Sequence, residues 1–177
     1  MLRKELREKL KALRPAERDR RSGEIQKKLL NHPRFSSARS LLVYKALYSE
    51  VETGTFLEEA WKRGKKVCLP RVDPARKKMW AIETKDLLAL EPGTYGILEP
   101  PFNSGRVGKP EELELVIVPG LGFDKDGGRL GRGAGYFDRF LAEAKRAYKI
   151  GLAFECQMVE RVPCETNDIL LDEVIVG

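Results

Sequence analysis

Apolar residues recur along the chain at two spacings, and these spacings separate predicted helices from predicted strands. Leucines at positions 2, 6, 10 and 13 follow the period of an amphipathic helix, which predicts a first helix over residues 2–13. A proline at the first helical position predicts a second helix over residues 15–30. A capping-box pattern predicts a third over residues 55–63, and helical spacing predicts a fourth over residues 136–148.

Short apolar runs rich in β-branched residues alternate with these helices. The predicted strands are residues 41–44, 67–69, 78–82, 113–118, 150–154 and 173–176. Because strands and helices alternate, we expect a Rossmann-like α/β fold with three layers, α/β/α, around a mainly parallel central sheet. No linker or repeat divides the chain, so residues 1–177 are expected to form one domain. Residues 83–112, rich in proline and glycine, are expected to form a long connection with little regular structure.

Charge and cysteine content narrow the class of protein. The 33 Lys and Arg against 27 Asp and Glu give a net charge of +6, which favours anionic partners without separating nucleic acid from nucleotide or polyglutamate. Three cysteines without C-x-x-C spacing predict free thiols. His32, the only histidine, precedes a proline and is expected to be an exposed turn residue. Without a membrane-length apolar run or a signal peptide, we expect a cytoplasmic protein with no membrane partner.

Seven glycines lie between the strand that ends at Val118 and the helix that begins near Tyr136. Glycines let backbone N–H groups turn inward, and the start of a helix offers unpaired N–H groups, so this segment suits an anion. Arg129 and Arg132 add guanidinium groups that match phosphate oxygens, and Asp138 supplies a carboxylate able to hold a divalent cation. The combination indicates a site for a metal-bound polyphosphate.

The glycine-rich segment matches neither common nucleotide motif. A P-loop requires Lys and then Ser or Thr after its last glycine, and the sequence has neither there. Lys125 stands where the dinucleotide fingerprint requires its third glycine. A flexible surface loop with solvated arginines is the simpler alternative, but the arginines, a tyrosine and an aspartate recur in register with the glycines.

Two stretches of this segment carry a family resemblance: Pro119-Gly-Leu-Gly-Phe-Asp124 and Gly128-Arg-Leu-Gly-Arg-Gly-Ala-Gly-Tyr-Phe-Asp-Arg139. They resemble the signature of the 5-formyltetrahydrofolate cyclo-ligase family, also called methenyltetrahydrofolate synthetases. The resemblance extends over essentially the whole chain and includes Ser49-Glu-Val-Glu-Thr53, Leu69-Pro-Arg71 and Glu99-Pro100. It implies an enzyme of one-carbon metabolism that cyclises 5-formyltetrahydrofolate to 5,10-methenyltetrahydrofolate. ATP and Mg²⁺ would be required, ADP and phosphate released, and a phosphorylated formyl group (an imidate phosphate) formed on the way.

The resemblance also implies roles for individual residues. Arg132 and Tyr136 are expected to be catalytic, and Asp138 and Asp168 to hold Mg²⁺. The expected ATP contacts are Arg3, Lys4, Arg7, Arg129, Leu130, Gly131, Arg132, Gly133, Ala134, Gly135, Tyr136 and Phe137. The expected contacts to the folate substrate are Lys45, Glu50, Arg132, Gly133, Ala134, Gly135 and Tyr136.

The sequence departs from the family pattern at two positions. Many relatives have Lys where Ala134 stands, and Phe137 replaces a common tyrosine. A member that binds folate or nucleotide without closing the ring is therefore one alternative. RNA binding is another, although no patch alternates stacking aromatics with arginines. We expect an active monomeric enzyme whose partners are small-molecule substrates and not nucleic acid.

Overall fold

The computed structural model describes residues 1–102, 106–163 and 168–177. Its helices are α1 (Leu2–Ala12), α2 (Pro15–Leu30), α3 (Pro33–Ser37), α4 (Gly54–Lys62) and α5 (Tyr136–Glu143). Its strands are β1 (Ser40–Leu42), β2 (Lys66–Asp73), β3 (Lys78–Glu83), β4 (Glu91–Pro92), β5 (Leu98–Glu99), β6 (Val107–Gly108), β7 (Leu115–Val118), β8 (Gly122–Phe123), β9 (Arg129–Leu130), β10 (Tyr148–Ala153) and β11 (Glu173–Val176).

A seven-stranded sheet with the order β11-β10-β7-β1-β2-β3-β6 forms the centre of the described structure. Each neighbouring pair from β11 to β2 is parallel, and β3 and β6 add antiparallel strands at one edge. The predicted α/β fold with a mainly parallel sheet is confirmed. Two further pairs, β4 with β5 and β8 with β9, form small hairpins outside this sheet.

Alternating side chains of the central strands pack against helices on opposite faces of the sheet. Leu41 belongs to a buried cluster with Ile25 of α2 and Phe56 of α4. Leu42, the next residue of β1, belongs to a second cluster with Phe140 of α5. Because neighbouring residues of a strand point to opposite faces, this alternation places the helices in two layers around the sheet.

The region 83–112 has more regular structure than its composition predicts. Residues of β4 and β5 form a hairpin, and β6 pairs with β3 at the edge of the main sheet. The expectation of a long connection with little regular structure holds for most of the described part of this region, which excludes residues 103–105, but its three short strands were not predicted. Each of these strands has only two residues, too few for an alternating pattern to emerge from the sequence.

Several predicted boundaries move in the structure. Strand β2 continues through Pro70, because β1 has already ended and no parallel neighbour requires the missing N–H there. Helix α5 ends at Glu143 and not near residue 148, since Tyr148 already begins the pairing of β10 with β7. The predicted capping box is also absent: the helix begins at Gly54, and Gln26 of α2 accepts the N–H of Phe56 at 2.9 Å.

His32 and the cysteines have structural positions. His32 caps α3, with Nδ1 accepting the N–H of Arg34 at 3.1 Å, and its Nε2 lies 3.0 Å from a carboxylate oxygen of Glu173. It is half-buried, so the expectation of an exposed residue is wrong. Cys68 and Cys156 are free thiols, as predicted, and burial raises the pKa of Cys68 to about 12. The third cysteine, at position 164, lies outside the described residues. Among the helices that the structure describes, none is long and apolar enough to cross a bilayer.

Candidate functional site

A cleft of about 360 Å³ opens beside the carboxyl ends of the central strands. Strand β1 lies between β7 and β2 in the sheet. Because β1 and β7 are parallel neighbours, the segments that follow them leave the same edge of the sheet, beside the second half of β2. Open α/β sheets bind ligands at this edge. The glycine-rich segment after β7, the segment after β1, and the β4–β5 hairpin each contribute to the lining of the cleft.

The glycine-rich segment folds as the β8–β9 hairpin and not as one long loop. Asp124 holds its turn: Oδ1 accepts the N–H groups of Asp126 at 3.0 Å and Gly128 at 2.8 Å, and Oδ2 accepts that of Val162 at 2.8 Å. Burial of Asp124 would by itself raise its pKa. The backbone hydrogen bonds from Val162, Gly128 and Asp126 outweigh burial and lower the pKa below its ordinary value. This carboxylate therefore fixes the hairpin.

Gln157 fixes the backbone that leads into the same hairpin. Its Nε2 donates to the carbonyl oxygens of Gly120 at 2.8 Å and Leu121 at 3.3 Å, and its Oε1 accepts the N–H of Phe154 at 2.9 Å. A side chain at Gly120 would collide with the ring of Phe123, which explains the glycine there. The start of the glycine-rich segment is thus held by buried polar contacts.

Arg129 lies in the wall of the cleft and is paired with Asp138. The distance from Arg129 Nη2 to Asp138 Oδ1 is 2.6 Å, and the Arg129 side chain is only 4% exposed. Arg129 also donates to the carbonyl oxygen of Pro119 at 3.4 Å. The structure therefore brings together a predicted phosphate contact and a predicted metal ligand, which the sequence did not predict to pair.

The turn between β9 and α5 contains glycines in conformations that other residues rarely adopt. Gly133 has φ +111° and Gly135 has φ +65°. Arg139 donates to the carbonyl oxygen of Ala134 at 2.9 Å and to that of Lys77 at 3.0 Å. Because the turn is fixed in this way, the first residues of α5, beginning with Tyr136, line the cleft.

Arg132 connects the glycine-rich turn to the segment after β1. It donates to Glu50 Oε1 through Nη2 at 3.0 Å and Nε at 3.3 Å, and to Ser49 Oγ at 3.1 Å. Glu50 also accepts the N–H of Leu47 at 2.9 Å through Oε2. Two residues predicted to contact ligands separately are therefore joined across the cleft.

Of the three basic residues expected to bind ATP from α1, one reaches the cleft. Arg3 lines it and donates to the carbonyl oxygen of Gly131 at 3.2 Å. Lys4 and Arg7 are exposed on the same helix and lie outside the lining that the described residues form. The structure thus brings α1 against the glycine-rich turn but separates Lys4 and Arg7 from the cleft.

Helix α2 positions the segment that carries Glu50 and Lys45. Two buried polar side chains one turn apart hold it: Ser22 accepts the N–H of Glu52 at 3.1 Å, and Gln26 binds the start of α4. Lys45 lines the cleft and donates to Glu52 Oε1 at 3.2 Å. These contacts join residues that are far apart in the chain, so no local pattern predicts them.

Asp138 and Asp168, the expected metal ligands, both line the cleft. One oxygen of Asp138 is engaged by Arg129. Within the described residues, which exclude 164–167, no group of three or more His, Cys, Asp and Glu side chains is suited to a metal. Two carboxylates are nevertheless a usual number for Mg²⁺, which also takes phosphate and water oxygens.

The sequence missed the wall formed by the β4–β5 hairpin. Ile97, Leu98 and Glu99 of this hairpin line the cleft together with Leu69 and Met79. The Glu99-Pro100 pair in this region was part of the family resemblance, but the resemblance implied no role for it. The cleft therefore has an apolar wall in addition to the basic, glycine-rich one.

Comparison with known proteins identifies the family of the chain. The model of the 5-formyltetrahydrofolate cyclo-ligase family matches residues 1–177. The 5-formyltetrahydrofolate cyclo-ligase of Mus musculus is 33% identical over 190 residues, which cover 98% of this chain and 91% of the mouse protein. That of Escherichia coli K12 is 28% identical over 173 residues, covering 96% of this chain and 95% of the bacterial protein.

Solved structures lead to the same family. The NMR structure of Aquifex aeolicus 5,10-methenyltetrahydrofolate synthetase has a TM-score of 0.84 and 32% identity, and covers 99% of this chain and 90% of that one. A Mycoplasma pneumoniae 5,10-methenyltetrahydrofolate synthetase has a TM-score of 0.78 and 25% identity, with coverage of 98% and 95%. These matches confirm the resemblance and the predicted enzyme class. The chain belongs to the 5-formyltetrahydrofolate cyclo-ligase family, a family of ligases.

Proposed function

We propose that this chain cyclises 5-formyltetrahydrofolate to 5,10-methenyltetrahydrofolate with ATP and Mg²⁺, and releases ADP and phosphate. Membership of the cyclo-ligase family supports the overall reaction. The observation that carries the proposal is one cleft lined both by a basic, glycine-rich segment and by an apolar wall. These two linings suit a polyphosphate and a reduced folate held side by side.

The chemistry explains why ATP is needed. The formyl group on N5 is an amide, and its oxygen is a poor leaving group. In the proposed first step this oxygen attacks the γ-phosphorus of ATP, ADP leaves, and an imidate phosphate forms. N10 then attacks the formyl carbon and loses its proton, and departure of phosphate leaves the methenyl bridge between N5 and N10.

The protein's contribution to this reaction is positioning and charge stabilisation. Arg132 is the proposed catalytic cation. Its Nε and Nη2 are engaged by Glu50 and Ser49, while its Nη1 makes no hydrogen bond within the described parts of the chain and is available to a phosphate oxygen. Tyr136 lines the cleft at the first residue of α5 and would border both substrates. An arginine held on one side by a carboxylate presents its other N–H groups in a fixed direction.

The remaining site assignments are part of the same proposal. The turn from Gly131 to Phe137 would hold ATP together with Arg3 and Arg129, while Lys45 and Glu50 would lie at the folate. Lys4 and Arg7 would act at a greater distance, through their charge on the exposed face of α1. Localisation in the cytoplasm, a monomeric state and a single domain remain predictions.

The residues present fit a magnesium ion. Asp168 and the oxygen of Asp138 that does not bind Arg129 are hard oxygen donors, which Mg²⁺ prefers. When bound, Mg²⁺ would neutralise charge on the phosphates. Arg129 keeps Asp138 in place at the start of α5, so this pair would orient the ligand carboxylate as well as stabilise the wall.

The experiment that tests the proposal mixes purified protein with 5-formyltetrahydrofolate, ATP and Mg²⁺ and follows the methenyl product by its absorbance. We expect product only when all three are present. Omission of ATP and of Mg²⁺ in turn provides the controls. Folded protein that forms no product from the complete mixture would contradict the proposal, and binding of folate without turnover would instead support a non-catalytic member of the family.

A further inference from the structure

The carboxylate of Glu99 is buried in the wall of the cleft. Glu99 is 3% exposed, yet it is one of the lining residues. Its Oε1 accepts the N–H of Val72 at 3.2 Å, and its Oε2 accepts the N–H of Thr94 at 3.2 Å. A side chain at Gly93 would overlap this carboxylate, so the hairpin leaves room for it. The backbone around Glu99 thus holds the carboxylate at one position in the cleft.

No cation pairs with this carboxylate among the residues that the structure describes. Arg71 of the adjacent strand donates to Glu91 at 2.8 Å and to the carbonyl oxygen of Pro100 at 2.7 Å. An ionised carboxylate accepts about four hydrogen bonds, and the two from Val72 and Thr94 leave each oxygen with spare capacity. Because a buried carboxylate requires compensating hydrogen-bond donors, Glu99 can accept hydrogen bonds from N–H groups of a ligand.

The surroundings of Glu99 define the shape and chemistry of that ligand. Leu69, Val72 and Met79 from β2 and β3 line the same cleft as Ile97 and Glu99. A flat ring with apolar faces and an edge of N–H donors fits such a wall. The pterin ring of a reduced folate has this pattern, since its N3–H and 2-amino group lie side by side and match the two oxygens of a carboxylate.

Glu50 is a weaker candidate for that role in this structure. Its Oε1 is engaged twice by Arg132, and its Oε2 accepts a backbone N–H. Glu99 has hydrogen bonds from backbone N–H groups alone among the described residues. The two carboxylates therefore have different roles: Glu50 positions Arg132, and Glu99 lies in the apolar wall.

We propose that Glu99 is a specificity-determining residue that accepts hydrogen bonds from the 2-amino group and N3–H of the pterin ring. This inference rests on the proposed folate substrate. It places the pterin between β2, β3 and the β4–β5 hairpin, with the formyl group directed toward the glycine-rich turn. Ring recognition and phosphate binding then belong to different walls of one cleft.

The test measures binding of 5-formyltetrahydrofolate and of its 2-desamino-2-methyl analogue by calorimetry without ATP. The variants are Glu99→Gln and the control Glu91→Gln, which removes an exposed carboxylate from the same hairpin. We expect Glu99→Gln to weaken binding of 5-formyltetrahydrofolate about 10- to 100-fold and binding of the analogue less than about threefold. The control should resemble the wild type with both ligands, and ATP affinity should not change in either variant.

The wild-type protein provides a second measurement that does not depend on how Glu99→Gln folds. It should bind the analogue about 10- to 100-fold more weakly than 5-formyltetrahydrofolate. Equal affinities of the wild type for the two ligands would overturn the role of Glu99, and so would an equal loss of affinity for both ligands in Glu99→Gln. If the wild type still turns over in the complete assay, the proposed function stands in either case. If the wild type neither binds nor converts 5-formyltetrahydrofolate, the proposed function and this inference both fail.

Discussion

Arg129 and Asp138 form a 2.6 Å ion pair in the wall of the cleft, between β9 and the first turn of α5. The Nε of Arg129 is buried and has no hydrogen-bond partner in the described structure, so the guanidinium depends on Asp138 for charge compensation. Removal of one partner of a buried pair leaves an uncompensated charge, which typically costs about 3–5 kcal/mol. We expect Asp138→Ala to lower the free energy of unfolding by about 3 kcal/mol in urea titrations, because Asp138 is partly exposed.

A double-mutant cycle separates this pair from general damage to the fold. Arg129→Met combined with Asp138→Ala should cost less than the sum of the two single changes, since no unpaired charge remains. Additive losses would contradict an energetic coupling between the two residues.

The lowered pKa of Asp124 predicts how the stability of the protein depends on pH. Its pKa in the folded protein lies below the ordinary value because of the hydrogen bonds from Val162, Gly128 and Asp126. The ionised form therefore contributes stability that is fully present above the unfolded pKa of about 3.9 and is lost as the pH falls through the folded pKa. In Asp124→Asn, the free energy of unfolding should fall less steeply below about pH 4 than in the wild type.

The matched control for Asp124 lies in the same turn. Asp126 is exposed, so Asp126→Asn should retain the pH dependence of the wild type. At neutral pH, Asp124→Asn should cost about 2 kcal/mol because buried N–H groups lose an acceptor. Urea unfolding between about pH 2 and 7 tests both points, and parallel curves for the wild type and Asp124→Asn would exclude this role.

Arg132 offers a test of catalysis with little effect on folding. Its side chain is 43% exposed, and it contacts Glu50 and Ser49 at the surface of the cleft. We expect Arg132→Ala to lower kcat about 100-fold or more, as removal of a transition-state donor does. The free energy of unfolding should fall by only about 1–2 kcal/mol, because Glu50, 9% exposed, loses its cation but keeps the N–H of Leu47.

An arginine outside the cleft controls for the loss of charge at Arg132. Arg146 is exposed beyond the end of α5, and Arg146→Ala should keep wild-type turnover. If Arg132→Ala retains near-normal kcat, the catalytic assignment of Arg132 is wrong.

The sequence predicted the parts of the fold that depend on local pattern. The run from Leu41 through Val43 alternates between two buried clusters, so its apolar residues predict a strand that is covered on both faces. The small hairpins were missed because their two-residue strands carry no periodicity. Asp124 holds the turn of β8–β9 through two local N–H groups and through the distant N–H of Val162, and this third contact depends on tertiary structure.

The candidate site was predicted as a set of residues but not as an arrangement. Arg132 and Glu50 lie 82 positions apart and meet because β1 and β7 are neighbours in the sheet. The apolar wall with Glu99 depends likewise on a hairpin that packs beside β2. Contacts of this kind follow from topology, which motif spacing within one segment does not encode.

Ala134 is one of two positions, with Phe137, at which the sequence differs from the expected family pattern, and its surroundings predict the effect of a lysine there. Ala134 is exposed between Gly133 and Gly135, and its carbonyl oxygen, not its side chain, is held by Arg139. Ala134→Lys should therefore be accommodated without disturbing the turn. An added ammonium beside the proposed phosphate site should lower the KM for ATP about three- to fivefold, with little change in the KM for folate.

Ala134→Gln separates charge from bulk, because it adds a long polar side chain without an ammonium. Only the lysine variant should gain affinity for ATP, and its advantage should shrink as ionic strength rises, since exposed charges are screened by salt. Equal behaviour of the two variants would place the phosphates away from Ala134. A gain confined to lysine would instead place the phosphates of ATP within reach of position 134.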